Sequence, residues 1–222
     1  MRMRCVAVAA VAVFSLVRGQ DGFGATPYPW PQTIYEDQFE YQDLSRWRRF
    51  ETGGGGEVAV DTSVRHSGRQ SARCSVPPSG AGRVAYLLCQ TTYAPKKPQA
   101  GTLHVRAYLY FDVASLPDAE LPVMGLCRFR PAPDGSPEPD LLQVLLRRKG
   151  GRTGVSLAGS DAVGTTAIEG KRWYCIEVKV TAKDGTGEAA VFLDGREQVS
   201  AQGLSMPALP DGVSLGFLKD PP

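Results

Sequence analysis

The segment RWYCIEVKVTAKDGTGEAAVFLDG, residues 172–195, contains two alternating runs separated by a turn. In RWYCIEVKV (172–180) alternate positions are apolar, which is the pattern of a strand with one buried face. The face expected to be buried carries Tyr174, Ile176, Val178 and Val180. EAAVFLDG (188–195) repeats the alternation, and KDGTG (183–187) supplies glycines for the positive φ angles of a tight turn. The segment therefore predicts an antiparallel hairpin, and Asp194-Gly195 predicts a second tight turn into REQVS.

Short runs of the same kind recur along the rest of the chain, separated by turn residues such as GGGG (53–56), PPSGAG (77–82) and PAPDGSPEP (131–139). The predicted strands are 46–51, 57–62, 70–76, 83–91, 102–111, 122–129, 141–148, 153–159, 172–180, 188–195 and 212–218. Many short strands at this spacing predict an all-β fold, a two-sheet antiparallel β-sandwich. The helical signal is limited to ASLPDAEL (114–121), which Pro117 restricts to one short turn.

The N-terminus has the layout of a secretory signal peptide. Arg2 and Arg4 precede an apolar run that is too short for a membrane span of about 20 residues. We expect residues 1–19 to be removed after Gly19, residues 20–34 to form a Pro/Gly-rich arm, and residues 35–222 to form one domain. The protein is thus predicted to be secreted, with no transmembrane segment.

Removal of this leader changes the charge balance and the cysteine count. The whole chain has 25 basic and 23 acidic residues, and the leader contains three arginines and no acid, which leaves a formal charge of −1. A nucleic-acid partner is therefore not expected, because such proteins carry a basic surface. The four remaining cysteines are Cys74, Cys89, Cys127 and Cys175.

An even number of cysteines in an exported chain favours disulfides. Cys74 and Cys89 lie in successive predicted strands, so a bridge between them is one possibility, with Cys127–Cys175 as its complement. Three connectivities stay open, and buried thiols are the alternative. The spacing does not fit a zinc site.

The hairpin, together with VDTSVRHSGRQSARCSV (60–76) and HVRAYLYFD (104–112), resembles the concanavalin A-like jelly roll of laminin-G-like domains and of several polysaccharide lyase and glucanase families. The resemblance runs from about Asp37 to Leu218. It implies a sandwich whose polar sheet face binds sugars. Such domains usually add a strand after the segment matching VSLGFL, so either the terminal strand is missing here or the Pro-rich tail caps the edge.

The candidate ligand surface starts from HVRAYLYF (104–111), whose second face is polar. Aromatic rings can stack on sugar rings, and arginine can hold a carboxylate in a bidentate fork, so this face would suit an acidic polysaccharide. The predicted ligand-binding residues are His104, Arg106, Tyr108, Tyr110, Arg128, Arg130, Gln143 and Arg147. The alternative is an ordinary solvated sheet face, since arginine and tyrosine are common there.

Catalysis is the second hypothesis. A polysaccharide lyase acting by β-elimination would use His104 or Tyr108 as base and Arg106 to neutralise the uronate. The third hypothesis is a structural or adhesive extracellular domain. The preferred prediction is non-catalytic binding of a polysaccharide or glycan.

Other polar and aromatic residues are predicted to be structural. His66 and Asp194 are interpreted as turn residues, and Trp47 and Trp173 as packing residues. Calcium sites occur on the rims of this fold, but a clustered D-x-D-x-D motif is lacking here, so no cofactor is predicted.

Overall fold

A computed structural model describes residues 7–9, 15–17, 32–33, 36–40, 43–51, 54–77, 84–90, 100–111, 120–129 and 141–218. The strands in these ranges are β1 (Ala7–Ala9), β2 (Ser15–Val17), β3 (Gln32–Thr33), β4 (Arg48–Glu51), β5 (Glu57–Asp61), β6 (Ser71–Ser75), β7 (Ala85–Gln90), β8 (Gly101–Tyr110), β9 (Leu121–Cys127), β10 (Leu142–Lys149), β11 (Arg152–Leu157), β12 (Trp173–Lys183), β13 (Thr186–Leu193), β14 (Arg196–Ser205) and β15 (Gly212–Phe217).

The strands form two antiparallel sheets. Sheet A follows the order β14-β13-β12-β8-β1-β6-β5, with β2 also paired to β8 and β3 to β2. Sheet B follows the order β11-β10-β9-β15-β7-β4. One apolar cluster contains buried residues from both sheets, so the sheets pack face to face. The predicted all-β sandwich is confirmed, and the described ranges contain no helix.

The hairpin of residues 172–195 forms as the sequence predicts. β12 and β13 are joined by Asp184-Gly185, whose φ angles are 52° and 82°. Asp194-Gly195, with φ angles of 50° and 79°, makes the second two-residue turn into β14. Asp-Gly suits both turns because each position requires a positive φ. β14 extends to Ser205, beyond the REQVS segment (196–200) that was expected to follow the turn.

The alternation in β8 and β12 determines which side chains enter the core. Leu103, Val105, Ala107 and Leu109 of β8 are buried, as are Tyr174, Ile176, Val178 and Val180 of β12. The intervening residues of both strands therefore lie on the outer face of sheet A.

A buried carboxylate fixes the segment that precedes β4. Asp37 accepts hydrogen bonds from the backbone N–H of Phe39 and from Nε1 of Trp47, both at 2.8 Å. Trp47 stacks on Phe39 with ring centroids 5.7 Å apart, and it is buried, as its prediction as a packing residue requires.

The cysteines do not form the predicted bridges, because all four side chains are in the thiol form. Cys74 and Cys89 lie in different sheets, in β6 and β7. Cys127 packs with Leu88 and Phe129 outside the main core, whereas Cys175 lies on the outer face of sheet A. The expected Cys127–Cys175 pair is thus separated by the core.

Thiol labelling tests this assignment. Burial raises the pKa of Cys175 and Cys89, so both should react more slowly than an ordinary thiol at neutral pH and faster as the pH rises. In the native protein we expect iodoacetamide to modify half-exposed Cys175 first. Unfolding without a reductant should then expose Cys74, Cys89 and Cys127 to the reagent. Mass spectrometry that finds any two of the four still unmodified would show a disulfide.

The N-terminal strands lie within the predicted leader. β1 pairs with both β6 and β8, and β2 pairs with β8. Removal of residues 1–19 would therefore take away the strand between β6 and β8.

Two predicted features fall largely or wholly outside the described residues: most of ASLPDAEL (114–121), and the C-terminal tail after residue 218. In the described ranges, no helix is long and apolar enough to span a membrane.

Candidate functional site on the outer face of sheet A

The outer face of sheet A carries the polar half of β8. His104, Arg106, Tyr108 and Tyr110 alternate with the buried residues of the strand, and β12 pairs with β8 along this whole stretch. In the register, Trp173 lies opposite Tyr110, Cys175 opposite Tyr108, Glu177 opposite Arg106 and Lys179 opposite His104. Two adjacent strands thus present one row of paired polar and aromatic side chains.

Four rings contact one another on this face. His66 stacks on Tyr108 with ring centroids 4.1 Å apart and an interplanar angle of 26°. His66 also meets the edge of Trp173 at 5.4 Å, and Trp173 lies 5.3 Å from Tyr110. We call His66, Tyr108, Tyr110 and Trp173 the ring platform. Three of its rings come from β8 and β12, and the fourth comes from the loop between β5 and β6.

A carboxylate lies beside the ring platform. Arg106 donates from Nε and Nη2 to Oε2 of Glu177, at 2.8 and 2.6 Å. The other oxygen of Glu177, Oε1, is 3.8 Å from Nδ1 of His104. The hydrogen bonds and charge of Glu177 raise the pKa of Arg106, so the guanidinium stays charged within this pair.

The phenol of Tyr108 and the thiol of Cys175 beside it stay neutral near physiological pH. Burial is the largest cause that raises the pKa of Tyr108, and burial likewise raises the pKa of the neighbouring Cys175 thiol. The phenol and the thiol therefore keep their protons and can take part in hydrogen bonds.

The other predicted ligand residues lie elsewhere. β8 belongs to sheet A, whereas β9 and β10 belong to sheet B, so Arg128, Gln143 and Arg147 are not on the face of His104. Gln143 and Arg147 lie on the side of β10 opposite the core residues Leu142, Val144 and Leu146. Arg130 is outside the described residues.

Arg147 is held by protein groups. Its Nε lies 2.7 Å from Oε1 of Glu120, and Nη1 donates to the backbone oxygen of Ser160. The prediction of a single groove across all eight residues is corrected by this sheet membership. The four β8 residues stay together, and Gln143 and Arg147 of β10 and Arg128, which follows β9, lie across the core from them.

Sequence reasoning missed part of this arrangement. Trp173, interpreted as a packing residue, is half-exposed and contacts two rings of the outer face, and His66 contacts two rings in addition to lying in a bend. The alternation of β12 places Trp173, Cys175 and Glu177 opposite its buried face, and all three lie on the outer face. The contact of His66 with the rings of β8 and β12 could not be predicted from the sequence, because a loop has no periodicity that indicates which residues it contacts.

Asp194 is a turn residue, as predicted. Its Oδ1 accepts the backbone N–H of Cys175 at 2.9 Å, and Oδ2 lies 3.8 Å from Nη2 of Arg172. The described residues contain no group of three or more histidine, cysteine, aspartate or glutamate side chains placed to hold a metal.

Comparison with known proteins gives little further information. No family model and no curated protein matches the chain. A crystal structure of an alginate lyase from Corynebacterium sp. is similar at 13% identity and a TM-score of 0.36, over 98% of this chain and 88% of that one. The fold assignment rests on the strand pairing described above.

Proposed function

We propose that the protein is an exported β-sandwich of the concanavalin A-like jelly-roll type that binds a polysaccharide or glycan without cleaving it. The ring platform is the observation that carries this proposal. Clustered aromatic rings on an outer sheet face offer flat apolar surfaces, and each tyrosine and tryptophan also has a polar group at its edge. This combination suits a sugar ring, which has an apolar face surrounded by hydroxyl groups.

Groups that bond to hydroxyls follow the rings along the same two strands. Arg106 and Glu177 are the next outward-facing pair after Tyr108 and Cys175, and His104 is the next outward-facing residue of β8. The β-strands that hold these residues pair over ten positions between β8 and β12, so most of the site is held by a regular sheet. A preorganised surface loses little entropy when it binds a ligand.

The geometry supports binding more than lyase chemistry. A lyase needs a base poised near the working pH, but burial raises the pKa of Tyr108. Arg106, the residue expected to neutralise a uronate, is already paired with Glu177.

A glycan array probed with the wild-type protein tests this function. We expect selective retention on a subset of glycans, and no unsaturated uronate product, followed by ultraviolet absorbance, when the retained glycans are incubated with the protein. Formation of that product would favour the lyase. A folded protein that retains no glycan would favour the structural or adhesive alternative.

Export is a separate part of the proposal and rests on the leader-like N-terminus. When the full chain is expressed in a secreting host, N-terminal sequencing of the protein in the medium should begin at Gln20. Protein that accumulates inside the cell and still starts at Met1 would contradict the leader, and it would agree with β1 as a permanent strand of sheet A.

A further inference from the structure

Three arginines on or next to the strands of this face are paired with carboxylates. Arg106 is paired with Glu177 through two hydrogen bonds, and Arg172 at the start of β12 is 3.8 Å from Asp194. Arg73 on β6, across sheet A, also has acidic partners. Its Nη2 is 3.4 Å from Oε1 of Glu57, and its Nη1 is 3.6 Å from Oδ2 of Asp61.

Such a face differs from the anion-binding surface that the sequence suggested. A site for uronate or sulfate groups needs arginines whose donors can turn to the ligand. In a paired arginine, the nearby carboxylate cancels much of the attraction and repels an incoming anion.

Glu177 is the carboxylate that contacts the basic residues of β8 on this face, and it lies opposite Arg106 in the register. It is less exposed than Arg106, at 21% against 45% of the side chain. Its two oxygens are directed to Arg106 and towards His104, the two basic residues of β8 on this face. One acidic residue therefore offsets the only basic groups that β8 contributes here.

We propose that Glu177 makes the ring platform selective for uncharged sugar chains over anionic ones. The inference rests on the proposed function and specifies its ligand class. A neutral chain can stack on the rings and use the Arg106–Glu177 pair as a donor and acceptor for adjacent hydroxyls, whereas a uronate in the same place would lie against the Glu177 carboxylate.

Exposed basic residues also lie near this face: Arg65 and Arg69 are in the loop that carries His66, and Lys179 is opposite His104. Glu40 lies against this loop and accepts the backbone N–H of Arg69 at 2.9 Å. The loop therefore also has an acidic neighbour. A substitution of Glu177 changes the charge next to Arg106 and leaves the loop unchanged.

The test compares wild type with Glu177→Gln, which keeps the shape and the hydrogen-bond acceptor but removes the charge. The probes are the neutral glycans retained on the array and polygalacturonate. Wild type should bind the neutral glycans with little dependence on salt and should bind polygalacturonate weakly. Glu177→Gln should bind polygalacturonate about fivefold or more tightly, because a like charge beside the bound uronate is removed, and added salt should weaken this binding.

Glu188→Gln is the matched control. Glu188 is an exposed glutamate of β13 on the same outer face, opposite Thr181 of β12, and it is remote from Arg106 in the register. The Glu188→Gln variant should keep the wild-type preference for the neutral glycans over polygalacturonate. An equal gain in Glu188→Gln, or a wild type whose array ligands are all anionic, would overturn the role of Glu177 while leaving carbohydrate binding intact. A folded wild type that binds neither class would instead overturn the proposed function.

Discussion

Replacing Tyr108 with alanine is expected to weaken glycan binding by about tenfold or more, because a central aromatic contact contributes about 1.4 kcal/mol or more to affinity. Tyr108 stacks directly on His66, so the substitution also removes the partner that positions the loop ring. The thermal midpoint should change little, since Tyr108 is only half-buried on the outer face. Titration of the wild type and the variant with a retained glycan measures the effect.

Tyr86→Ala is the matched control for this prediction. Tyr86 is a half-buried tyrosine as well, but it lies in β7 of sheet B and packs against Leu88, Cys127 and Phe129. It should keep the wild-type affinity even if the protein becomes less stable. Equal losses of affinity in the two variants, or an unaffected Tyr108→Ala, would remove the ring platform from the binding site.

Gly216→Ala is expected to destabilise the sandwich by about 2–4 kcal/mol, which is large for the addition of one methyl group. Gly216 in β15 has a φ of 124°, and an added Cβ would lie 2.5 Å from the backbone oxygen of Ala85 and 2.8 Å from Sγ of Cys74. Ala85 is in the neighbouring strand β7 of sheet B, and Cys74 is in β6 of sheet A. Gly216 therefore allows β15 to lie close to both strands. Urea denaturation gives the free energy of unfolding.

The control for the backbone contribution is Gly203→Ala. Gly203 in β14 has a φ of 67° and has open space around the added Cβ, so only the left-handed conformation is penalised, by about 1 kcal/mol. Similar losses of stability in the two variants would show that the contact with Ala85 and Cys74 is not the reason for a glycine at position 216.

The local features of the fold could be predicted from sequence because they depend on neighbouring residues. The hairpin of residues 172–195 is an example, since period-two alternation assigns the faces and Asp-Gly specifies the turns. The same alternation correctly placed Val105, Ala107 and Leu109 in the core, and it placed His104, Arg106, Tyr108 and Tyr110 on the other face.

Sheet membership could not be predicted, because it depends on pairing between distant segments. β8 pairs with β12, about 70 residues later, and β9 pairs with β10 and β15 in the other sheet. A strand pattern specifies which side is buried but not which sheet provides the partner. This missing information explains why Gln143 and Arg147 were grouped with the β8 residues and why Cys74 and Cys89 were considered for a bridge.

Amide chemical-shift perturbation by a retained neutral glycan locates the binding site directly. The shifts should concentrate at residues 104–110 of β8, at residues 173–177 of β12 and around His66. Shifts centred on Arg128, Gln143 and Arg147 would instead place the binding site on sheet B and contradict a role for the ring platform.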